Sequence, residues 1–208
     1  MTTNVELTNV KKIYEHIAKD FSNKRFHTWD WIRTFLNNLP NSSRILDVGC
    51  GNGRNMFNER HTFVGIDNCG KFVKMCNEDG LNVIYSDMTE LPFEDNSFDT
   101  IIVIASFHHL SSVDRRIKCL SEMRRVLRLG GRILLSVWSQ DQSHNYKKEF
   151  RYGENFVPWK NADGSVKGIR YYYIYNKKEL EGLLGDKFRI DSWYWDYGNE
   201  IIEMTNLK

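Results

Sequence analysis

The residues best suited to chemistry are three glycines at alternate positions, Gly49, Gly51 and Gly53, in the stretch Arg44–Gly53 (RILDVGCGNG), together with Asp67, which closes the next apolar run, His61–Asp67 (HTFVGID). Glycine has no Cβ, so such a turn bends tightly and lets backbone N–H groups approach a ligand. An aspartate at the end of a neighbouring parallel strand can accept both hydroxyls of a ribose. A glycine turn with an acidic strand end therefore points to a nucleoside. Cys50 and Asn52 within the turn, and Asn68 beside Asp67, join the candidate cofactor wall. Asp47, two residues before the first glycine, can take hydrogen bonds from the ammonium of an amino acid. A dinucleotide fingerprint needs a third small residue where this chain has Arg54, which makes an NAD enzyme the weaker rival.

These residues need a scaffold. Arg44–Val48 reads as a short buried strand, apolar and bounded by Asn41-Ser42-Ser43 before it and glycines after. Ahead of it, Val10, Ile13, Ile17 and Phe21 and then Trp29, Ile32, Phe35, Leu36 and Leu39 recur at helical spacing. Residues 1–40 are thus expected to form two helices, with the basic, aromatic stretch Ser22–Thr28 as a loop or lid over the glycine turn. Further on, a helix is expected near Phe72–Glu78, a strand at Asn82–Tyr85, a loop over Ser86–Asn96 and a strand at Phe98–Ala105. This alternation predicts an α/β fold with a parallel sheet. The run FDTIIVIAS, the most apolar in the chain, should be a central strand beside the first. A helix over Ser112–Leu129 is expected to turn Val113, Ile117, Leu120 and Leu127 inward and to end on Gly130-Gly131, with a fifth strand over Arg132–Trp138. Residues 139–170 are polar and lack clear periodicity, which predicts a long mobile loop on the substrate side. Tyr171–Tyr175 reads as an edge segment, Lys177–Leu184 as a helix, and Phe188–Trp195 with Ile201–Thr205 as an antiparallel hairpin around Tyr197-Gly198-Asn199.

A chain of 208 residues fits one domain better than two. With 29 Lys and Arg against 27 Asp and Glu, no global field attracts nucleic acid, so any such affinity must come from a local patch. The densest is Arg115, Arg116, Lys118, Arg124, Arg125, Arg128 and Arg132. Four cysteines without CxxC spacing, no run of membrane-span length and nothing like a secretory leader predict a soluble, cytoplasmic setting with neither disulfides nor a metal site.

The glycine turn with its leading acid, Ser86-Asp87-Met88, Leu91-Pro92-Phe93, Phe98-Asp99 and RVLRLGGR together resemble the class I S-adenosylmethionine (SAM) dependent methyltransferases over residues 40–138. More narrowly, four stretches resemble the eukaryotic-type tRNA methyltransferases that esterify carboxymethyluridine at the wobble position. They are Tyr14–Ser22 leading to Arg25 and Trp29; Ala105–Ser111 with Arg115-Arg116; Trp138 with Gln142; and Arg170-Tyr171-Tyr172 through Glu179-Leu180 to Gly198-Asn199. Departures from that pattern are His27, Leu110, Tyr173 and Glu200, which touch substrate preference more than fold. The resemblance implies a Rossmann-like, seven-stranded, mostly parallel sheet with a C-terminal antiparallel hairpin and helices on both faces. It also implies SAM as cofactor, a tRNA anticodon stem-loop as substrate and a small zinc-binding activator protein pairing with the sheet edge.

Methyl transfer to a carboxylate needs no general base, because a carboxyl with a pKa of about 4 is already ionised at neutral pH. Positioning is the main task, and over-strong pairing would stabilise the ground state more than the transition state. One or two moderate contacts are therefore expected. The expected catalytic residues are Arg25, able to grip either the uridine carboxylate or that of the methionine moiety, and His108 and His109, which follow the fourth strand at the ligand-binding edge. Trp29 is expected to stack a flipped base, although its spacing with Ile32 and Leu36 fits core packing equally well. Arg115 and Arg116 would meet phosphates, and Trp138 and Gln142 would line the substrate side. Tyr14 is expected over the methionine end of the cofactor, Asp87 and Met88 at its adenine, and Ala105 in the same wall. The competing readings are a SAM enzyme for a small molecule and a catalytically silent tRNA-binding protein.

Overall fold

The computed structural model describes residues 2–143, 149–185 and 187–207. The N-terminal arm is helical through α1 (Asn4–Glu6), a π-helical turn (Leu7–Lys11) and α2 (Lys12–Lys24), followed by α3 (Asp30–Asn37). Then come β1 (Arg44–Val48), β2 (Thr62–Asp67), α4 (Gly70–Glu78), β3 (Val83–Tyr85), β4 (Phe98–Ile104), a 3-10 turn (Phe107–His109), α5 (Val113–Val126) and β5 (Leu127–Trp138). The chain finishes with β6 (Gly153–Lys160), β7 (Val166–Ile174), α6 (Lys177–Gly185), β8 (Phe188–Asp196) and β9 (Asn199–Asn206).

Seven strands form one sheet in the order β3-β2-β1-β4-β5-β9-β8. β1 to β5 pair in parallel and β9 is antiparallel to both its neighbours, as a Rossmann-like sheet closed by a hairpin requires. Alternation along the strands sorts the core. Leu46, Val48, Ile101, Val103, Ile133 and Leu135 pack with Leu120 and Met123 of α5 and Leu180 and Leu184 of α6 on one face. Ile45, Ile102, Leu134 and Ile201 meet Ile32, Phe35 and Leu36 of α3 on the other. Helices therefore cover both faces. Reversal of the strand order beside β1 opens a crevice at the carboxyl ends of β1 and β4, where open α/β sheets bind ligands.

Two expectations about this scaffold need correction. α5 ends at Val126, and the chain is already extended at Leu127, which pairs with Phe98. Gly130-Gly131 therefore lies within β5 and does not cap the helix. Of the four residues expected inward, Leu120 and Leu127 are buried but Val113 and Ile117 are exposed, and Arg115, Arg116, Cys119, Met123 and Val126 are buried in addition. Secondly, residues 139–170 are not all irregular. β6 and β7 form a separate antiparallel pair from Gly153↔Ile174 to Lys160↔Val166. The remainder of that expected loop includes residues 144–148, which lie outside the described residues. All four cysteines are buried thiols. Among the described residues no helix is long and apolar enough to cross a membrane.

Candidate active site

The glycine turn between β1 and the loop before β2 is built on positive φ angles, 74° at Gly49 and 56° at Gly51, which L side chains rarely adopt. At Gly49 a Cβ would also come within 2.5 Å of Ser106 Cβ, so the turn packs directly on the chain leaving β4. Asp67 ties the turn down: its Oδ2 accepts from Gly51 N–H at 2.8 Å and its Oδ1 from Cys69 N–H at 2.8 Å. Asn68 N–H also contributes to holding this carboxylate, whose remaining acceptor capacity faces the ligand side. Burial pushes the Asp67 carboxyl up to about 6.

A cavity of about 860 Å³, counting its open mouth, runs over this turn. Tyr14, Gly49, Cys50, Gly51, Asn52, Asp67, Asn68, Asp87, Met88 and Ala105 line it, as the sequence places them. Two expected members do not. Gly53 faces away, where a Cβ would strike Leu81 at 2.4 Å, so its role is packing. Asp47 is sealed behind the turn, both carboxylate oxygens buried without a hydrogen-bond partner, and burial with the nearby Asp67 charge pushes it up to about 8. The Asp67 carboxylate and the Cβ-free turn fit a nucleoside, which SAM carries; Asp47, behind that wall, does not line the cavity as expected.

α2 packs against α4 and β7 and supplies Tyr14 and Phe21 to the wall of this cavity. Its Glu15 carboxylate accepts from the N–H groups of Gly70 and Lys71, capping α4 from 55 residues away. Its Tyr14 hydroxyl bonds His109 Nε2 at 3.0 Å. Because His109 Nδ1 lies 2.7 Å from the Tyr171 carbonyl, Nδ1 must carry the proton and Nε2 must accept from Tyr14. Both nitrogens are occupied and burial lowers the ring to about 4. His109 is thus a neutral positioning residue in the cofactor wall, and the expected catalytic role does not fit it. His108 differs. Its Nδ1 accepts from Trp138 N–H at 3.0 Å, which leaves the proton on a buried Nε2 that has no partner. Desolvation and the neighbouring His109 hold its pKa well below the usual value, so the ring is a neutral donor.

That donor belongs to a second cleft, about 1130 Å³ including its mouth, on the far side of Ala105. Arg25, Trp29, His108, Trp138 and Gln142 all line it. Arg25 is exposed, donates to the Lys24 carbonyl and faces this cleft rather than the cofactor cavity. Trp29 caps α3 while stacking on Trp31 at 5.6 Å, so the base-stacking and packing readings share one side chain. Trp138 stacks on Tyr172 with ring centroids 3.9 Å apart and planes 9° from parallel. Gln142 is buried with its amide donating to the carbonyls of Ser139 and Gly198, so it shapes the wall and its N–H groups are not offered to a ligand.

Arg115 and Arg116 are not a phosphate site. Arg115 Nη2 grips both oxygens of Asp87, at 3.0 and 2.7 Å, and its Nε lies 2.6 Å from Glu6 Oε2. Arg116 donates to the Leu110 carbonyl and lies over the Tyr173 ring at 3.5 Å. Their charge is spent in fixing the N-terminal arm and the loop after β3 to α5. Asp87 is thereby oriented, with its Oδ1 also accepting from Thr89 N–H and Oγ1.

Two residues carry functional geometry that the sequence reading left out. Arg54 lines both cavities, lies 4.4 Å over the Trp29 ring and is depressed to about 10 by burial and the neighbouring Arg25 charge. Its signal was present as the residue in place of the third glycine. Arg170, buried on β7, lies over Trp159 at 4.8 Å and Tyr172 at 5.2 Å with its Nε unpartnered. In the sequence it stood only within the Arg170-Tyr171-Tyr172 resemblance, with no role attached, because its environment comes from β7 packing against α2.

Residues 46–135 match a family model described as a methyltransferase domain. A putative methyltransferase of Encephalitozoon cuniculi is 36% identical over 180 residues, covering 84% of this chain and 82% of that protein. The tRNA (carboxymethyluridine(34)-5-O)-methyltransferase of Arabidopsis thaliana is 39% identical over 142 residues, 68% of this chain and 35% of that protein. The chain thus spans about a third of the length of that relative. A solved complex between the Haloferax volcanii Trm112 methyltransferase activator and a putative methyltransferase superposes with a TM-score of 0.69 at 15% identity, covering 96% of this chain and 99% of that one; the likeness is one of fold. Glycine turn, acidic strand end and Rossmann-like sheet define a class I transferase with SAM as its cofactor. The chain belongs to the SAM-dependent methyltransferases and, within them, resembles the tRNA wobble-uridine carboxymethyl methyltransferases.

Proposed function

We propose that this protein methylates the carboxylate of 5-carboxymethyluridine at the wobble position of tRNA, forming the ester. The observation that carries this reading is the charge of the second cleft. Lys24, Arg25, His27, Arg54 and Arg170 line it, and among the described residues no carboxylate does. Such a wall suits an anion. The cleft shares Tyr14, Phe21, Arg54 and Ala105 with the cofactor cavity, so a carboxylate held there abuts the methyl-donor end.

When bound, SAM would supply an electrophilic methyl on a sulfonium, which a carboxylate oxygen would take as the C–S bond electrons pass to sulfur. The protein's part is positioning. Arg25 offers a planar fork to the carboxylate, and the neutral His108 Nε2–H offers a weaker donor that does not over-stabilise the anion. Trp138, stacked on both Tyr172 and Phe150, makes this side of the cleft a rigid aromatic wall against which the extruded uridine would be held. An activator protein fits the open edge of β3, where Ile84 and Tyr85 are exposed. A cytoplasmic location accords with tRNA as substrate.

The test is transfer of labelled methyl from SAM to bulk tRNA bearing unesterified carboxymethyluridine, with nucleoside analysis, run with and without a zinc-binding activator. A methyl ester at the wobble uridine is the expected product. SAM binding without any tRNA methylation under either condition would leave the fold and cofactor intact and remove this substrate.

A further inference from the structure

Beyond the far wall of the cationic cleft lies another recess, about 890 Å³ with its mouth, which the reading above does not use. The partition consists of two short runs of chain. Ser139, Gln140 and Asp141 face the recess while Gln142 faces the cleft; Asn199 faces the cleft while Glu200 faces the recess. Adjacent residues of the same backbone thus serve neighbouring pockets.

The recess is built for a flat ring with polar edges. Trp193 and Tyr152 line it. Trp193 is held by its Nε1–H donating to Glu200 Oε2 at 2.7 Å, while Glu200 Oε1 accepts from Ser139 Oγ at 2.6 Å. Lys177 Nζ lies over the Trp193 ring, 5.3 Å from its centroid, so a cation sits above the indole and the exposed Tyr152 is the aromatic side chain left to stack a base. Tyr175 contributes to the wall and has a buried hydroxyl without a hydrogen-bond partner. A buried polar group left unpaired is costly, and a ligand edge would satisfy it. Single-stranded bases are recognised in this way, by stacking on aromatic rings and by hydrogen bonds to their edges.

We propose that this recess is a second nucleotide subsite, taking the base next to the target uridine in single-stranded RNA. The inference rests on the RNA substrate proposed above and deepens it. Tyr152 and side-chain acceptors would hold the neighbouring base, Lys177 would meet the backbone phosphate, and the two bases would lie on either side of the partition.

Three trinucleotides test it: one with central 5-carboxymethyluridine and intact neighbours, one abasic on the 5′ side and one abasic on the 3′ side. Binding is measured by fluorescence anisotropy in the presence of S-adenosylhomocysteine, and methyl transfer is measured in parallel. In the wild-type protein one abasic ligand, and only one, should bind about tenfold more weakly, as stacking of a single base would give. In Tyr152→Ala/Lys177→Ala that difference should fall below about twofold, for the same lost stacking. Both side chains are exposed, so the fold tolerates their truncation. No abasic penalty in the wild type, a penalty on both sides, an undiminished penalty in the double variant or no binding of any trinucleotide would overturn the proposal. A one-sided penalty without methyl transfer would keep the subsite and remove the carboxymethyluridine reading; methyl transfer without a neighbour effect would do the reverse.

Discussion

The two cavities that meet at Ala105 have opposite charge. Glu6, Asp67 and Asp87 line the cofactor side, with Asp47 buried behind it, whereas five cationic or potentially cationic side chains line the cleft. On the acidic side the buried Arg115 is neutralised by Asp87 and Glu6. On the cleft side Lys24 pairs with Asp20, but among the described residues Arg25, Arg54 and Arg170 have no carboxylate partner. A ligand with an ammonium and a sulfonium is sorted to one side and an anion to the other. Arg54, shared by both walls, marks where they meet.

The largest effect that could break this contrast belongs to Arg115. Removing it strands two buried carboxylates, and Arg115→Ala should lose about 3–5 kcal/mol of stability, read as a fall of about 10 °C in thermal unfolding. A loss near zero would mean that the ion pairs are not formed and the guanidinium is available to RNA after all. Next comes the acidic strand end. Asp67→Ala should weaken SAM binding about 10- to 100-fold, the worth of charge-assisted hydrogen bonds, while RNA binding stays unchanged. Equal loss of both in calorimetry would erase the division between the cavities. Arg25→Ala should lower kcat/KM for RNA about tenfold through one lost charged contact, with the SAM dissociation constant unaffected. If SAM binding falls instead, Arg25 holds the cofactor's carboxylate and the cleft loses a claim on its anion.

The smallest effect is in pH dependence. The carboxyls of Asp67 and Asp47 are raised to about 6 and about 8, above their unfolded values. A carboxyl raised on folding contributes stability that is fully present below its unfolded pKa and is lost as pH rises through the folded one. Without cofactor, the melting temperature should therefore decline between about pH 4 and pH 8. Asp47→Asn should remove the upper part of that decline. Parallel profiles for wild type and variant would show that Asp47 is not the buried group that titrates.

Legibility followed locality. β1 and the β8–β9 hairpin were readable because a short apolar run between turn residues and a Tyr-Gly-Asn turn each encode their own geometry. α5 misled because Val113 and Ile117 look like a core stripe, yet two arginines two and three residues on from Val113 take the inward positions by finding carboxylate, carbonyl and aromatic partners on other elements. β6 was hidden because its pattern runs against burial: Phe156 and Pro158 face outward while Asn155 is half-buried, and a proline weakens any strand reading. His108 and His109, adjacent in sequence, part ways because a 3-10 turn rotates successive side chains by about a third of a turn. One enters the cleft and the other the cofactor wall.

Glycine spacing, the acid at the end of the second strand and the strand-helix alternation were enough to define the sheet, the crevice and the nucleoside, since each depends on backbone geometry that a few neighbouring residues dictate. Which arginines are buried and which remain available, which histidine keeps a free N–H, and that Arg54 and Arg170 converge on one cleft were decided by the packing of α2 and β7 over the sheet. Those outcomes depend on partners up to 160 residues apart, as between Asn9 and Ile169. The charge state and reach of a side chain are properties of its surroundings, which only the folded chain assembles.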